Sequence, residues 1–215
     1  MGLSLVTAAA SLPVTLAELK AELLSYAQST ANDAIITQKL YEATDYVQNE
    51  TQRQFIQATW KQTWDTWPDD PCGMKGNGTG PLKIALQPLY SVSSVKYYDA
   101  NGTQQTVSSS SYWVDVDSKP PRVKFKPTVF AWPPTEAWRP GAVEVTFIAG
   151  YANAAAVPYM AKLAIKELAA YWFEQREAAG VPEAAAPGGT STAVGGEIPF
   201  GVTRILNMLK ADGYT

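Results

Sequence analysis

The hydrophobic period of this chain changes twice, and that change limits its fold more than any single motif does. From Thr15 to about residue 57 the apolar residues recur at three and four positions; from Ala58 to Tyr151 they alternate; after Pro158 the helical spacing returns. Residues three to four apart share a helix face and alternate residues share a strand face, so neither pattern can serve the other element. The chain therefore reads as α+β: a helical bundle of about three main helices with a β-rich insertion and a flexible C-terminal segment. The expected boundaries are a helical hairpin over 1–57, the insertion over 58–151, a core helix over 152–180, a flexible linker over 181–197 and a docking segment over 198–215.

Thr15-Leu16-Ala17-Glu18 has capping-box spacing, in which Thr15 and Glu18 each satisfy a backbone N–H at a helix start. Leu16, Leu19, Leu23 and Ala27 then share one face, up to the polar stretch from Ser29 to Asn32. Asn32 is the expected cap of a second helix, with Asp33 in the first turn and Ile36, Leu40, Ala43 and Val47 as its apolar stripe. A third helix after Pro158 runs through Ala161, Ile165, Leu168 and Trp172 and should pack on the first two.

Between them, Trp60, Gln62, Trp64 and Thr66 alternate with Thr59, Lys61, Thr63 and Asp65, and Leu82, Ile84 and Leu86 alternate with Lys83 and Ala85. Asp99-Ala100-Asn101-Gly102 predicts a tight hairpin turn after Val95–Tyr98. Further strands fit Tyr112–Val116, Arg122–Lys126 and Val143–Ile148, while Pro68–Pro81 and Pro127–Gly141 read as long loops.

With 46% hydrophobic residues, including seven Trp and eleven Tyr, the chain can bury a core without covalent staples. Its one cysteine, Cys72, has no intrachain partner, and the chain contains no histidine, which removes the commonest general base and metal ligand. No catalytic, cofactor-binding or metal-binding residue is assigned. Glu174, Arg176 and Glu177 read as a charged helix face, and Gly73–Gly80 fails the P-loop context because it runs through Pro81 into a strand. Net charge is −3 and no run of Lys or Arg stands out, so direct nucleic-acid binding is not expected. Residues 1–12 lack a basic leading region and are too short to span a bilayer, which predicts a soluble protein made in the cytoplasm without membrane contact.

Several stretches, in order, resemble the head-to-tail connector family of tailed bacteriophages, the adaptor or head-completion proteins, in their longer version with a β insertion. They are Val14–Lys20, Asp33, Leu86–Val95 followed by Tyr97–Gly102, Val145–Tyr151 before Val157-Pro158, Tyr171–Glu177 and Pro199–Val202. The resemblance covers most of the chain. It implies a non-enzymatic virion protein at the head-to-tail interface, forming a twelvefold ring of copies of itself beneath the portal protein. Such a ring extends the DNA channel, which DNA passes through without specific binding, and offers a surface to the next tail or neck protein. It also implies that Pro199, Phe200, Gly201 and Val202, with Arg204, Ile205 and Leu206, reach the portal or an adjacent subunit.

Read from its residues, the apolar island at Phe200–Leu209 fits either a contact with a neighbouring subunit or a fold-back on its own domain. Trp132 and Trp138, in the Pro-rich loop, fit either a subunit or tail contact or a satellite core, whereas Trp60, Trp64 and Trp67 fit core positions. Two other functions remain open at this stage: a tail-completion or neck protein, and a soluble ligand-binding module built on the tryptophan-rich loops.

Overall fold

Backbone hydrogen bonds of the alternating stretch close into sheets, and the periodic stretches close into helices, as the two periods require. The computed structural model describes residues 1–23, 30–68, 80–126, 132–178 and 198–210, with side chains described to residue 175 in the third helix. The strands are β1 (Gly2–Thr7), β2 (Ala58–Trp64), β3 (Leu82–Lys83), β4 (Leu89–Tyr98), β5 (Gln104–Thr106), β6 (Tyr112–Asp115), β7 (Arg122–Phe125) and β8 (Val143–Ala149). The helices are α1 (Leu16–Glu22), α2 (Asp33–Thr51), α3 (Tyr159–Ala178) and α4 (Phe200–Leu209). The fold is α+β, and it divides into a β unit, containing Met1–Ser11 and Gln52–Asn153, and a helical unit of Leu12–Thr51 and Ala154–Lys210.

In the β unit a five-stranded sheet runs β1-β2-β8-β4-β5 and a three-stranded sheet runs β3-β7-β6, every pair antiparallel. The strand β1 has no counterpart in the periodicity reading, because Leu3-Ser4-Leu5 is too short an alternation to separate from a loop. Elsewhere the alternation holds. Val143, Val145, Phe147 and Ala149 are fully buried on β8, and register places Trp64, Gln62, Trp60 and Ala58 opposite them. The three-stranded sheet adds Leu82, Val123, Phe125 and Tyr112 to the same core.

Trp67 is the hub of that core. Its ring lies 5.6 Å from Tyr97, 5.4 Å from Phe125 and 5.5 Å from Trp132, with the last two near-perpendicular, the arrangement the ring quadrupoles favour. Its indole N–H donates to Pro133 O at 3.0 Å. Trp60 and Trp64 are half-buried against the cluster, and β2 ends at Trp64, so Thr66 faces solvent while Trp67 turns in.

Gln62 is the one fully buried polar side chain of β2, and its amide replaces a missing ladder. Its Oε1 accepts from Ala85 N at 2.9 Å and its Nε2 donates to Lys83 O at 3.1 Å, tying β2 to the short strand β3. Gly150 follows β8 at φ +113, and a Cβ there would stand 2.6 Å from the backbone of Ile56, so only glycine fits. The Asp99 turn forms as expected: Gly102 N donates to Asp99 O, and the Asp99 carboxylate accepts from Asn101 N and Thr103 N. Hydrogen bonds from Gln105 and these amides hold that carboxyl below its ordinary value. The peptide bonds Gln87–Pro88 and Lys119–Pro120 are cis.

In the helical unit the Thr15 capping box is complete: Glu18 N donates to Thr15 Oγ1 at 3.2 Å and Thr15 N to Glu18 Oε2 at 2.7 Å. The helix α1 stops at Glu22, and Ala27 lies outside the described residues. Ile36, Leu40, Ala43 and Val47 of α2 are buried, as are Ala161, Ile165 and Leu168 of α3, where Ala164 and Ala169 let the backbones approach. Trp172 is half-buried, its ring 5.8 Å from Tyr46 and edge-on. The helix α4 packs on α2 and α3 through Val202, Ile205 and Leu206, and Lys210 pairs with Glu50 at 2.7 Å.

Replacing Gln62 with Leu removes the acceptor of the buried Ala85 N–H and a donor to the Lys83 carbonyl. The expected loss is about 2–3 kcal/mol, read as a lower denaturation midpoint at unchanged slope. The Thr15 backbone N–H, bonded to Glu18, lowers that carboxyl's pKa from 4.5, with a lesser contribution from Lys162 and Lys166. A lowered carboxyl stabilises the fold at pH above 4.5 and loses that contribution as pH falls through the folded value. Glu18→Ala should therefore cost about 0.5–1 kcal/mol at neutral pH, held to that size by solvent screening, and progressively less in acid; a pH-independent difference would refute the assignment.

Candidate functional site

Among the described residues no group of three or more His, Cys, Asp or Glu could hold a metal ion, and no helix is long and apolar enough to cross a membrane. Cys72 and Gly73–Thr79 lie outside the described residues, as do the side chains of Arg176 and Glu177; Glu174 is exposed. A groove of about 290 Å³ in the helical unit is lined by Val14, Tyr159, Met160 and Leu163, with Glu18, Lys162 and Lys166 at its polar edge. It contains no tryptophan, so the tryptophan-rich loops do not build it.

The two loop tryptophans have opposite environments. Trp132 packs into the core, its ring 4.8 Å from Phe125 and 5.5 Å from Trp67. Trp138 is 100% exposed and holds φ +65, a left-handed conformation that a bulky side chain rarely adopts. The described part of its loop, residues 132–141, is fastened at several points. Glu136 N donates to Tyr98 O at 3.0 Å, Tyr98 N to Ala142 O at 2.8 Å, and Gly141 N to the Asp65 carboxylate at 2.8 Å. Arg139 donates to Glu136 at 2.8 Å and lies 3.5 Å over the Tyr98 ring. The Glu136 carboxylate raises the Arg139 pKa above its ordinary value. An exposed aromatic ring thus stands on backbone held by hydrogen bonds on both sides of it.

The C-terminal helix divides the residues singled out in the sequence. Val202, Ile205 and Leu206 are buried against the chain's own α2 and α3. Phe200, 82% exposed, Arg204 and Met208 face outward at intervals of four, forming one stripe. Pro199 caps the helix, with Thr203 N donating to its carbonyl at 3.1 Å, and Gly201 is exposed beside Phe200. The outward stripe, not the whole segment, is available to a partner.

Sequence reasoning missed two further surfaces. The edge strand β1 exposes Leu3, Leu5 and Val6 without one charged side chain. The outer face of β3-β7-β6 gathers Lys83, Arg122, Lys124 and Trp113 from separate segments. The alternation Arg122-Val123-Lys124-Phe125-Lys126 was the signal for the second, since it sends every cation of one strand to one side.

Replacing Trp138 with Gly removes a left-handed penalty of about 1 kcal/mol and a side chain with no intramolecular burial, partly offset by the greater freedom of the unfolded chain. Stability should stay level or rise by up to about 1 kcal/mol, whereas Trp67→Ala should lose about 3–5 kcal/mol. Chemical denaturation of both variants decides whether Trp138 is held for the fold or for something outside it.

No family model matches the chain, and no curated protein matches it. Solved structures do. A chain in the neck of an empty gene transfer agent (GTA) particle, computed with C6 symmetry, superposes with TM-score 0.72 at 22% identity, covering 100% of this chain and 98% of that one. A chain in the virion of a native gene transfer agent particle gives TM-score 0.72 at 21% identity with the same coverage. A third, in the neck of a native particle computed with C12 symmetry, gives 0.67 at 22% identity, again covering 100% and 98%. At this identity the likeness is one of fold, and it extends over both units from end to end.

Proposed function

We propose that this chain is a structural subunit of the neck of a tailed phage or phage-like particle. It acts as an adaptor: copies form a ring beneath the portal, extend the DNA channel and present a surface to the next tail or neck component. The observation that carries this reading is the fold likeness to neck chains over the full length of both partners, with neck assemblies of C6 and C12 symmetry among them. The fold alone does not dictate a role, so the surface must agree with it. Here the agreement lies in exposed apolar groups on fixed supports: Trp138 on its clamped loop, and Phe200 and Met208 on a helix anchored by its opposite face. Such groups suit protein contacts and have no role in bond-making chemistry.

In this reading Phe200, Gly201 and Arg204, led in by Pro199, contact the portal or an adjacent subunit. Val202, Ile205 and Leu206 hold the helix in place for that contact. Trp138 is a subunit or tail contact. Trp132 serves indirectly, by fixing the base of the same loop.

Particles made without the protein should package DNA and then leak it or remain tailless, and imaging of complete particles should find the chain directly under the portal. Density elsewhere in the particle, or normal tails without the protein, refutes the adaptor role. Truncating the chain before residue 198 is a poor test of α4, because it removes Val202, Ile205 and Leu206 from the helical core. Phe200→Ala combined with Arg204→Ala is the sharper one: stability within about 0.5 kcal/mol of wild type, with portal attachment lowered at least about tenfold.

A further inference from the structure

The chain carries net charge −3, yet its three-stranded sheet presents a cationic outer face. Val123 and Phe125 of β7 are buried, so Arg122 and Lys124 point outward, and Lys126 continues their row beyond the strand's end. Register sets Lys83 opposite Arg122 on one side and Asp115 on the other, with Trp113 opposite Lys124. Arg122 pairs with Asp115 at 3.0 Å. The Lys126 ammonium lies 5.3 Å from the centroid of the Trp113 ring, which is 55% exposed, and donates to Ser110 O at 2.7 Å. Among the residues paired in this sheet and the one that follows β7, Lys83, Arg122, Lys124, Lys126 and Asp115 therefore share this face.

Five carboxylates of the helical unit are matched by its own lysines, Asp33 by Lys20, Glu42 by Lys39, Glu50 by Lys210, Glu18 by Lys162 and Glu22 by Lys166, while Asp45, Glu167 and Glu174 stand exposed and scattered along α2 and α3. The cations of the sheet face lie instead in a row, which fits a linear polyanion. Alternate residues of a strand stand about 7 Å apart, a spacing of the same order as that of successive phosphates along one strand of DNA.

We propose that the outer face of β3-β7-β6 contacts the phosphate backbone of duplex DNA through Lys83, Arg122, Lys124 and Lys126, with Trp113 supporting Lys126. The contact positions the duplex and reads no bases, since lysine supplies a point charge and no side chain here forms a two-pronged base contact. With Arg122 already paired, about three phosphates are neutralised, so each copy binds weakly and releases readily. The inference deepens the neck reading, on which it rests for the presence of DNA, and its test is separate from that of particle location.

A labelled duplex of mixed sequence, titrated with the full chain over a series of salt concentrations, should show binding whose log affinity falls with log salt at a slope of about −3. K124Q/K126Q should weaken binding at least about tenfold at low salt and reduce the slope by about two, while K96Q, on the other sheet, should change neither. Should the double variant fail to fold by circular dichroism, K83Q with Arg122→Gln reads the same face. Absence of salt-dependent binding by the wild type, or a variant slope equal to wild type, overturns the proposal. Loss of self-association in the double variant without any DNA binding overturns it too and assigns the face to an acidic protein surface. None of these failures bears on where the chain sits in a particle.

Discussion

The packing of three rings about Trp67 is the contact on which the β unit depends. Tyr97 comes from the five-stranded sheet, Phe125 from the three-stranded one and Trp132 from the loop that leads to β8. A sheet buries only one face, and two sheets sharing a core need large side chains to fill the gap where their ends diverge. Aromatic rings fill it with few atoms left polar. The Trp67 N–H, satisfied by Pro133 O, converts that packing into a fixed path for the loop. The placement of Trp138 in water follows from this burial, a few residues upstream, of its neighbour Trp132.

The helical unit solves a different problem. Its helices bury small and branched residues, and its charges pair with one another across helix surfaces at 2.7 to 3.9 Å. Exposed pairs of this kind add little stability individually. Their larger effect is local, because a matched pair contributes little field at long range, whereas Asp45, Glu167 and Glu174 stand exposed outside these pairs. Contrast with the outer face of β3-β7-β6 is what makes that face conspicuous.

Much of this was legible in the sequence. The capping box at Thr15 and Glu18, the α2 stripe, the turn at Asp99 and the alternation of β8 are all local rules, and local rules survive folding because each is satisfied within a few residues. What could not be read depends on partners distant in the chain. Gln62 looks like one more polar residue until Ala85 and Lys83 arrive beside it. Lys83 and Arg122 lie far apart in sequence and adjacent in register, so no linear scan for basic runs finds their face. The fate of α4 was open for the same reason: its apolar residues announce that something must cover them, and only the fold identifies α2 and α3 as the cover.

The strand β1 has a consequence for how such a chain must be handled by the cell that makes it. It lies at the end of its sheet, with pairing to β2 on one side, uncharged side chains and a single bulge near Val6 as its sole guard. Among the described residues no strand pairs with its far side, and the backbone groups there can template any extended segment that arrives. Free copies are therefore a pool with a shelf life, one that crowding shortens and prompt incorporation into a larger body protects. Timing of synthesis, as much as affinity, decides how much of the chain ends up where it is useful.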